Sequence, residues 1–203
     1  MNLYTKYILP KYLNLAMGSK DFDTYRKDTA SKANGIVLEI GFGSGLNLPY
    51  FTNVSKLYAL DPSDELYTLA QERIYKVSFT IEQLQASAEN IPLDTNSIDS
   101  VISTWTLCSI PYPEIALKEI FRVLKPSGKF LFIEHGKSPR SFITKIQNFL
   151  TPISKRVAGG CHMNRDIEKL ILDAGFEIQQ IEKFAQKSKP LAFMYQGVAV
   201  ARK

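Results

Sequence analysis

An apolar run, Val37-Leu38-Glu39-Ile40, leads straight into Gly41-Phe42-Gly43-Ser44-Gly45. Glycines at alternate positions let a chain turn sharply off a strand, and they let a ligand touch the main chain with no Cβ in the way. Glu39 stands two residues before the first glycine, and Asp61 stands twenty after it. A carboxylate at 39 is unwelcome beside a pyrophosphate, but it can anchor the ammonium of an amino-acid-like ligand, directly or through water. An acid at Asp61's distance accepts hydrogen bonds from ribose hydroxyls in a doubly wound fold. Dinucleotide spacing, G-x-G-x-x-G, needs glycine at position 46, where this chain has Leu46. The implied ligand carries a ribose and an ammonium and needs no phosphate. S-adenosyl-L-methionine (SAM) fits that description. The plain alternative is that Glu39 and Asp61 only cap or salt-bridge locally, and their shared place around one glycine turn argues against it.

Such a turn needs a buried strand before it and covered sheet faces around it. Short β-branched and aromatic runs alternate with helical patterns, which predicts an α/β fold: a doubly wound, mainly parallel seven-stranded sheet with helices on both faces. Strands are expected at 36–40, 56–60, 79–86, 100–104, 129–134, 177–184 and 193–201. Helices are expected at 64–75 with Ser63 as N-cap, at 113–124, at 141–150 with an interruption at Pro152, and at 164–174 capped by Asn164. Leu46-Asn47-Leu48 reads as a further helical start whose N–H groups face the glycine turn.

The 203 residues, 45% hydrophobic and 22% charged, suit one domain over 1–203. Within it, 1–34 reads as an N-terminal helical lid and 137–163 as a helical insert near the acceptor. No stretch has the roughly 18–20 uninterrupted apolar residues of a membrane span. Residues 1–17 lack a cleavage site and are broken by Lys6, Pro10, Lys11 and Asn14, so no secretory signal is expected. Cys108 and Cys161 are too few for a disulfide framework, and two histidines leave no metal cluster, so no metal is expected. The expectation is a reduced cytoplasmic protein, at most peripheral to a membrane. Its charge of +5 is uneven: 1–20 and 137–165 hold lysines and arginines and no acid. Both segments also hold apolar residues, Leu3, Tyr4, Tyr7, Ile8, Leu9, Tyr12, Leu13 and Leu15 in the first and Phe142, Ile143, Ile146, Phe149, Leu150 and Ile153 in the second. Together they point to an amphiphilic acceptor or transient contact with an anionic membrane surface, against the blander reading of a lid with a solvated basic face. No nucleic acid is expected, since no binding module accompanies the charge.

Glu39-x-Gly41-x-Gly43-x-Gly45 and Asp61 resemble the first motif and the second-strand acid of class I SAM-dependent methyltransferases. Ala86-Ser87-Ala88-Glu89-Asn90-Ile91-Pro92-Leu93 is similar to the family's adenine-binding stretch. Ser97 to Ser103 is similar to its fourth strand, and Arg122 to Phe130 to its turn into the fifth. The resemblance runs in consistent order over roughly 35–203. Ser87 stands where the family usually has aspartate, and Ser127 where it usually has glycine. Ser103 to Ile110, Ile133-Glu134-His135-Gly136 and Gly160-Cys161-His162-Met163-Asn164-Arg165 resemble the branch of methyltransferase-like 7 thiol methyltransferases and bacterial phospholipid and quinone methyltransferases. The resemblance implies a Rossmann-like methyltransferase fold, SAM as cofactor and S-adenosyl-L-homocysteine as product. It implies cofactor contacts from Glu39, Gly41, Phe42, Gly43, Gly45, Asn47, Asp61, Pro62, Ser63, Ser87, Ala88, Glu89, Ser103 and Thr104.

Ligands of open α/β sheets bind at the carboxyl ends of the strands. That places Trp105, Leu107 and Cys108 after the fourth strand, His135 after the fifth, and Cys161 and His162 at the entry to the last helix, as the expected acceptor pocket. The acceptor is expected to be a small apolar or amphiphilic molecule: a thiol, a lipid amine or a quinone-like phenol. Transfer from a sulfonium is chiefly a matter of alignment and water exclusion. A general base is optional, and His135 is the best candidate for one. A Cys161–His162 nucleophilic pair is disfavoured because neighbours in an extended segment point apart. Two other readings stay open: a SAM-binding protein without turnover that acts through a partner, and an NAD-dependent oxidoreductase.

Overall fold

A computed structural model describes residues 4–186 and 189–202, apart from the side chains of residues 5, 6, 189 and 190. Leu3 and the side chain of Lys6 therefore lie outside the described residues. Strands β1 (Asn34–Ile40), β2 (Asn53–Leu60), β3 (Thr80–Leu84), β4 (Ile98–Thr104) and β5 (Leu124–Gly136) run parallel. Then β6 (Phe176–Gln186) pairs antiparallel with β7 (Lys189–Ala201), which returns antiparallel beside β5. The order is β3-β2-β1-β4-β5-β7-β6. It reverses between β1 and β4, and the loops leaving those two strands open a crevice there.

Near-continuous apolar strands are what two covered faces require. Side chains alternate across the sheet: Leu38, Val101, Phe130 and Phe132 pack on one side with α4 (Pro113–Val123) and α6 (Ile167–Asp173). Val37, Ile102 and Leu131 pack on the other with Ala30 of α2 (Asp23–Ala30) and Ala70 of α3 (Asp64–Ile74). Phe130 and Phe132 are wholly buried, each stabilising the fold by about 1.5–3 kcal/mol. Helices α1 (Leu9–Met17) and α5 (Ser141–Val157) complete the set.

Four local expectations need correction. Helix α5 runs through Pro152 instead of stopping before it. The missing proline N–H is offset by Gln147, which is buried and ties the helix to Gly136 O, Leu191 O and the Ser138 N–H. The last helix starts at Ile167 with Asp166 as its cap, accepting from the Lys169 N–H; Asn164 is engaged with Asn148. After the glycine turn only a 3-10 turn forms, Leu48–Tyr50, because the Asn47 side chain is held by Glu39, Thr104 and Arg26. The Lys-Pro-Ser-Gly segment begins β5 as an irregular stretch with Ser127 at φ 62°. Ser63 does cap α3, through the Leu66 N–H.

Candidate active site

A cavity of about 730 Å³ occupies the crevice at the carboxyl ends of β1, β4 and β5. Its floor is the glycine turn. Gly41 sits at φ 65°, and a Cβ there would lie 2.2 Å from Thr106 Oγ1, so any side chain would collide with the loop after β4. Gly43 sits at φ 57°, but a Cβ there would meet only Gly41 O, at 3.8 Å. Here the turn needs glycine for its left-handed backbone, and the space above it is left open to a ligand.

Asp61 borders this floor. Its Oδ2 accepts the Gly43 N–H at 2.9 Å and its Oδ1 the Ser63 N–H at 2.8 Å. Each carboxylate oxygen keeps a lone pair for a ligand hydroxyl. Burial raises its pKa, and the two backbone donors oppose the rise. Glu39 is 1% exposed. Its Oε1 accepts from Asn47 Nδ2 at 2.7 Å, while its Oε2 is buried without a partner. Burial pushes its carboxyl up to about 8, against the Asn47 hydrogen bond and the Arg26 charge. A buried acid with one satisfied oxygen suits a cationic ligand group, whose arrival would restore the charge.

Over the other half of the cavity stands Trp105, at φ 54°. A bulky residue in that conformation is strained, as residues at ligand sites often are. Phe22 meets its edge at 4.8 Å, the Arg26 guanidinium lies 4.8 Å from its ring, and its Nε1–H points to Met194 Sδ at 3.4 Å. His135 lines the same wall, with Nδ1 3.7 Å from Cys161 Sγ and Nε2 buried without a partner. Its neighbour Glu134 turns into the fold, where Oε1 accepts from Ser103 Oγ at 2.5 Å and from the Thr106 N–H at 3.2 Å. Burial pushes Glu134 up to about 7, against the Ser103 bond.

Of the expected cofactor residues, Glu39, Gly41, Phe42, Gly43, Asp61, Pro62, Ser87, Ala88 and Thr104 line the cavity. Gly45, Asn47, Ser63, Glu89 and Ser103 stand behind it. Asn47 steadies Glu39, Ser63 caps α3, and Ser103 holds Glu134. Glu89 accepts from Ser87 Oγ and the Tyr112 N–H. Of the expected acceptor residues, Trp105, Cys108, His135 and Cys161 line the cavity, and two do not. Leu107 points into the core at 0% exposure. His162 faces away from Cys161, as alternating side chains require; its Nδ1 is clasped at 2.9 Å by Gly160 O, and it borders a separate small depression.

Residues outside the motifs also line the cavity: Asn14, Arg26 and Gln186. Arg26, 5% exposed, donates to Asn47 Oδ1 at 3.1 Å and to Met17 O at 3.2 Å. Burial lowers its pKa to about 10. Gln186 has both amide atoms buried without partners. These residues come from α1, α2 and the end of β6, far from the glycine turn in sequence, so no local spacing marks them.

Crevice, glycine floor and paired acids suit a ribose-bearing, cationic ligand at the switch point of an α/β enzyme. The family described as Methyltransferase domain matches residues 38–132. The chain is 30% identical over 179 residues to thiol S-methyltransferase TMT1B of Rattus norvegicus, covering 84% of this chain and 72% of that protein. It is 25% identical over 158 residues to phosphatidylethanolamine N-methyltransferase of Cereibacter sphaeroides, covering 75% of this chain and 77% of that protein. A SAM-dependent methyltransferase structure from Aquifex aeolicus shares the fold, with a TM-score of 0.65 and 20% identity over 95% of this chain and 98% of that one. The chain belongs to the SAM-dependent methyltransferases, and SAM is its cofactor.

Proposed function

We propose that this methyltransferase acts on a small apolar or amphiphilic acceptor whose reacting atom sheds a proton, a thiol before a phenol. One observation carries the reading. Among the described residues, five have buried polar side-chain atoms without partners, and four of the five, Asn14, Glu39, His135 and Gln186, line one mostly apolar cavity. Native proteins leave few such atoms unsatisfied, and a ligand is the usual explanation where they gather.

In this reading Glu39, Gly41, Gly43, Asp61, Ser87 and Ala88 hold SAM, which when bound supplies a methyl on a sulfonium with a good leaving group. Trp105, Met163, Leu191 and Met194 hold the acceptor and exclude water, and Gln186 hydrogen-bonds its polar end. Helices α1 and α5 form the lid. Both acids of the lining, Glu39 and Asp61, belong to the cofactor half. The acceptor half therefore offers an arriving ammonium no carboxylate, and the Cys161 sulfur there is already engaged by Cys108 Sγ and His135 Nδ1, which disfavours a lipid amine. His135, its Nδ1 turned to Cys161, takes the acceptor's proton at Nε2.

The test is product formation from SAM across thiols, phenols and lipid amines, with His135→Asn alongside. Aryl and alkyl thiols are expected to react, and the variant to lose about tenfold in kcat for a thiol and about a hundredfold for a phenol, with SAM affinity unchanged. Turnover of amines alone, or an unaffected variant, removes this assignment.

Two helices that line the cavity support a second expectation. Leu15 of α1 and Phe142 and Phe149 of α5 are 71–79% exposed, and Lys145, Lys155 and Arg156 of α5 are exposed as well. Helices that expose apolar and basic side chains together suit an anionic bilayer surface that delivers an amphiphilic acceptor. The protein is expected to sediment with vesicles containing phosphatidylglycerol and less with neutral ones; equal absence from both pellets rules out this contact.

A further inference from the structure

Cys108 and Cys161 are the two cysteines of the chain. They come from separate loops, yet their sulfurs lie 3.6 Å apart in the wall of the cavity. Direct methyl transfer forms no covalent bond to the enzyme, so it leaves the pair without a role. The two thiols are unequal. Cys161 is partly exposed and has His135 Nδ1 at 3.7 Å. Cys108 is 3% exposed, with Trp105 O at 3.6 Å and Ser109 Oγ at 3.7 Å. The neighbouring Cys108 thiol, together with the His135 ring, holds Cys161 below the ordinary thiol range, although burial opposes this. Cys161 and burial together hold Cys108 above that range. The ionised, reachable thiol is the nucleophile in thiol–disulfide exchange, and a protected neighbour of higher pKa suits the resolving role.

We propose that Cys161 and Cys108 form a redox-active dithiol that reduces small apolar disulfides entering the cavity. The Cys161 thiolate attacks one sulfur of a disulfide RSSR. A Cys161–SR bond forms, the RS–SR bond breaks, and RS⁻ leaves. Cys108 then gives up its proton to the RS⁻ already released and attacks Cys161 Sγ; the Cys108–Cys161 bond forms, the Cys161–SR bond breaks, and the second RS⁻ leaves. In sum, one disulfide is reduced to two thiols while the two cysteines are oxidised to one disulfide, and an external dithiol restores them. Bond formation draws the sulfurs from 3.6 Å to about 2.05 Å, next to Gly159 and Gly160, both at positive φ. The released thiols are acceptors of the kind proposed above, and that link alone rests on the methyl-transfer reading.

The probe is 2,2′-dithiodipyridine, a neutral aromatic disulfide, added in slight excess to the fully reduced protein without SAM. Wild type is expected to release two pyridine thiones per chain and to end two hydrogens lighter by intact mass, with a Cys108–Cys161 peptide cross-link. Cys108→Ser is expected to release one and to stop as a mixed disulfide on Cys161. Cys161→Ser is expected to react at least about tenfold more slowly than Cys108→Ser while folded, and as fast once denatured. A wild-type product carrying two pyridyl adducts, first labelling at Cys108, or a Cys161 no faster in the folded chain than in the denatured one overturns the proposal. The assay contains no SAM, so its failure leaves methyl transfer untouched, and failure of the acceptor screen leaves the dithiol untouched.

Discussion

Asp61→Ala is expected to weaken binding of SAM and S-adenosylhomocysteine by a hundredfold or more in calorimetric titration, with the fold retained. Asp61 presents two oxygens to the floor of the cavity, each already accepting one backbone N–H. Two ligand hydroxyls would complete the shell. Hydrogen bonds to a charged group contribute about 1.5–3 kcal/mol each, so losing a pair costs at least about 3 kcal/mol, or more than a hundredfold in Kd. Stability should suffer less. Burial already disfavours the Asp61 charge in the empty protein, and the Gly43 and Ser63 N–H groups at this partly open floor can turn to water. Asp61→Asn is expected to fall between the two, because an amide keeps one acceptor and opposes an N–H to that of Gly43. A thermal midpoint close to wild type with affinity unchanged would place the ribose elsewhere and remove Asp61 from the site. Loss of affinity with a collapsed midpoint in Asp61→Ala but intact binding in Asp61→Asn would make the acid a brace for the loop alone.

What the sequence revealed was local. The Glu39-to-Gly45 turn and Asp61 lie within twenty-three residues of chain, and their spacing reflects one strand–turn–strand unit whose geometry the backbone dictates. The strand core was legible for the same reason, since alternation of Val37, Leu38, Ile102 and Val101 between faces follows from the pleat. The rest of the cavity was harder to read. Arg26 and Gln186 reach the cavity from distant elements, and an arginine on a short helix or a glutamine at a strand end carries no periodic signal. Leu107 and His162 were placed by neighbourhood, yet each belongs to a loop whose alternate residues face opposite ways: Cys108 and Cys161 turn to the cavity, and their neighbours turn to the core and to Gly160 O. The Cys161–His135 contact joins residues twenty-six apart. The alternation of an extended segment already set His162 aside as a partner for Cys161, but only the crossing of two loops brings His135 to it. At Pro152 and at the start of α6, several residues could serve as a stop or a cap, and tertiary hydrogen bonds from Gln147 and Asn148 select among them.

The second large effect concerns Glu39 and has a sign fixed by its environment. Its carboxyl is pushed up to about 8 in the empty protein, so at pH 7 it holds its proton in most molecules. A ligand ammonium beside the unpartnered Oε2 favours the charged form and drives the proton off. SAM binding at pH 7 is therefore expected to release about one proton, measured as the dependence of calorimetric heat on buffer ionisation enthalpy, and affinity is expected to climb by up to about tenfold per pH unit until about pH 8. Glu39→Gln removes the titrating group: proton release vanishes, the rise with pH flattens, and affinity near pH 8 falls by at least about a hundredfold, the worth of a charge-assisted contact. Stability runs the opposite way. A carboxyl whose folded pKa is raised stabilises the fold only while protonated. That contribution is complete below its ordinary value of 4.5 and is lost as pH climbs through about 8. The glutamine has no proton to lose. Empty Glu39→Gln is thus expected to gain on wild type between those limits, by a few kcal/mol at pH 8, read from paired thermal midpoints. A residue found to weaken the empty fold and strengthen the loaded one would be placed for its ligand. Should wild-type binding prove independent of pH and buffer while Glu39→Gln binds normally, the ammonium does not meet this acid, and Glu39 is a buried strut for Asn47.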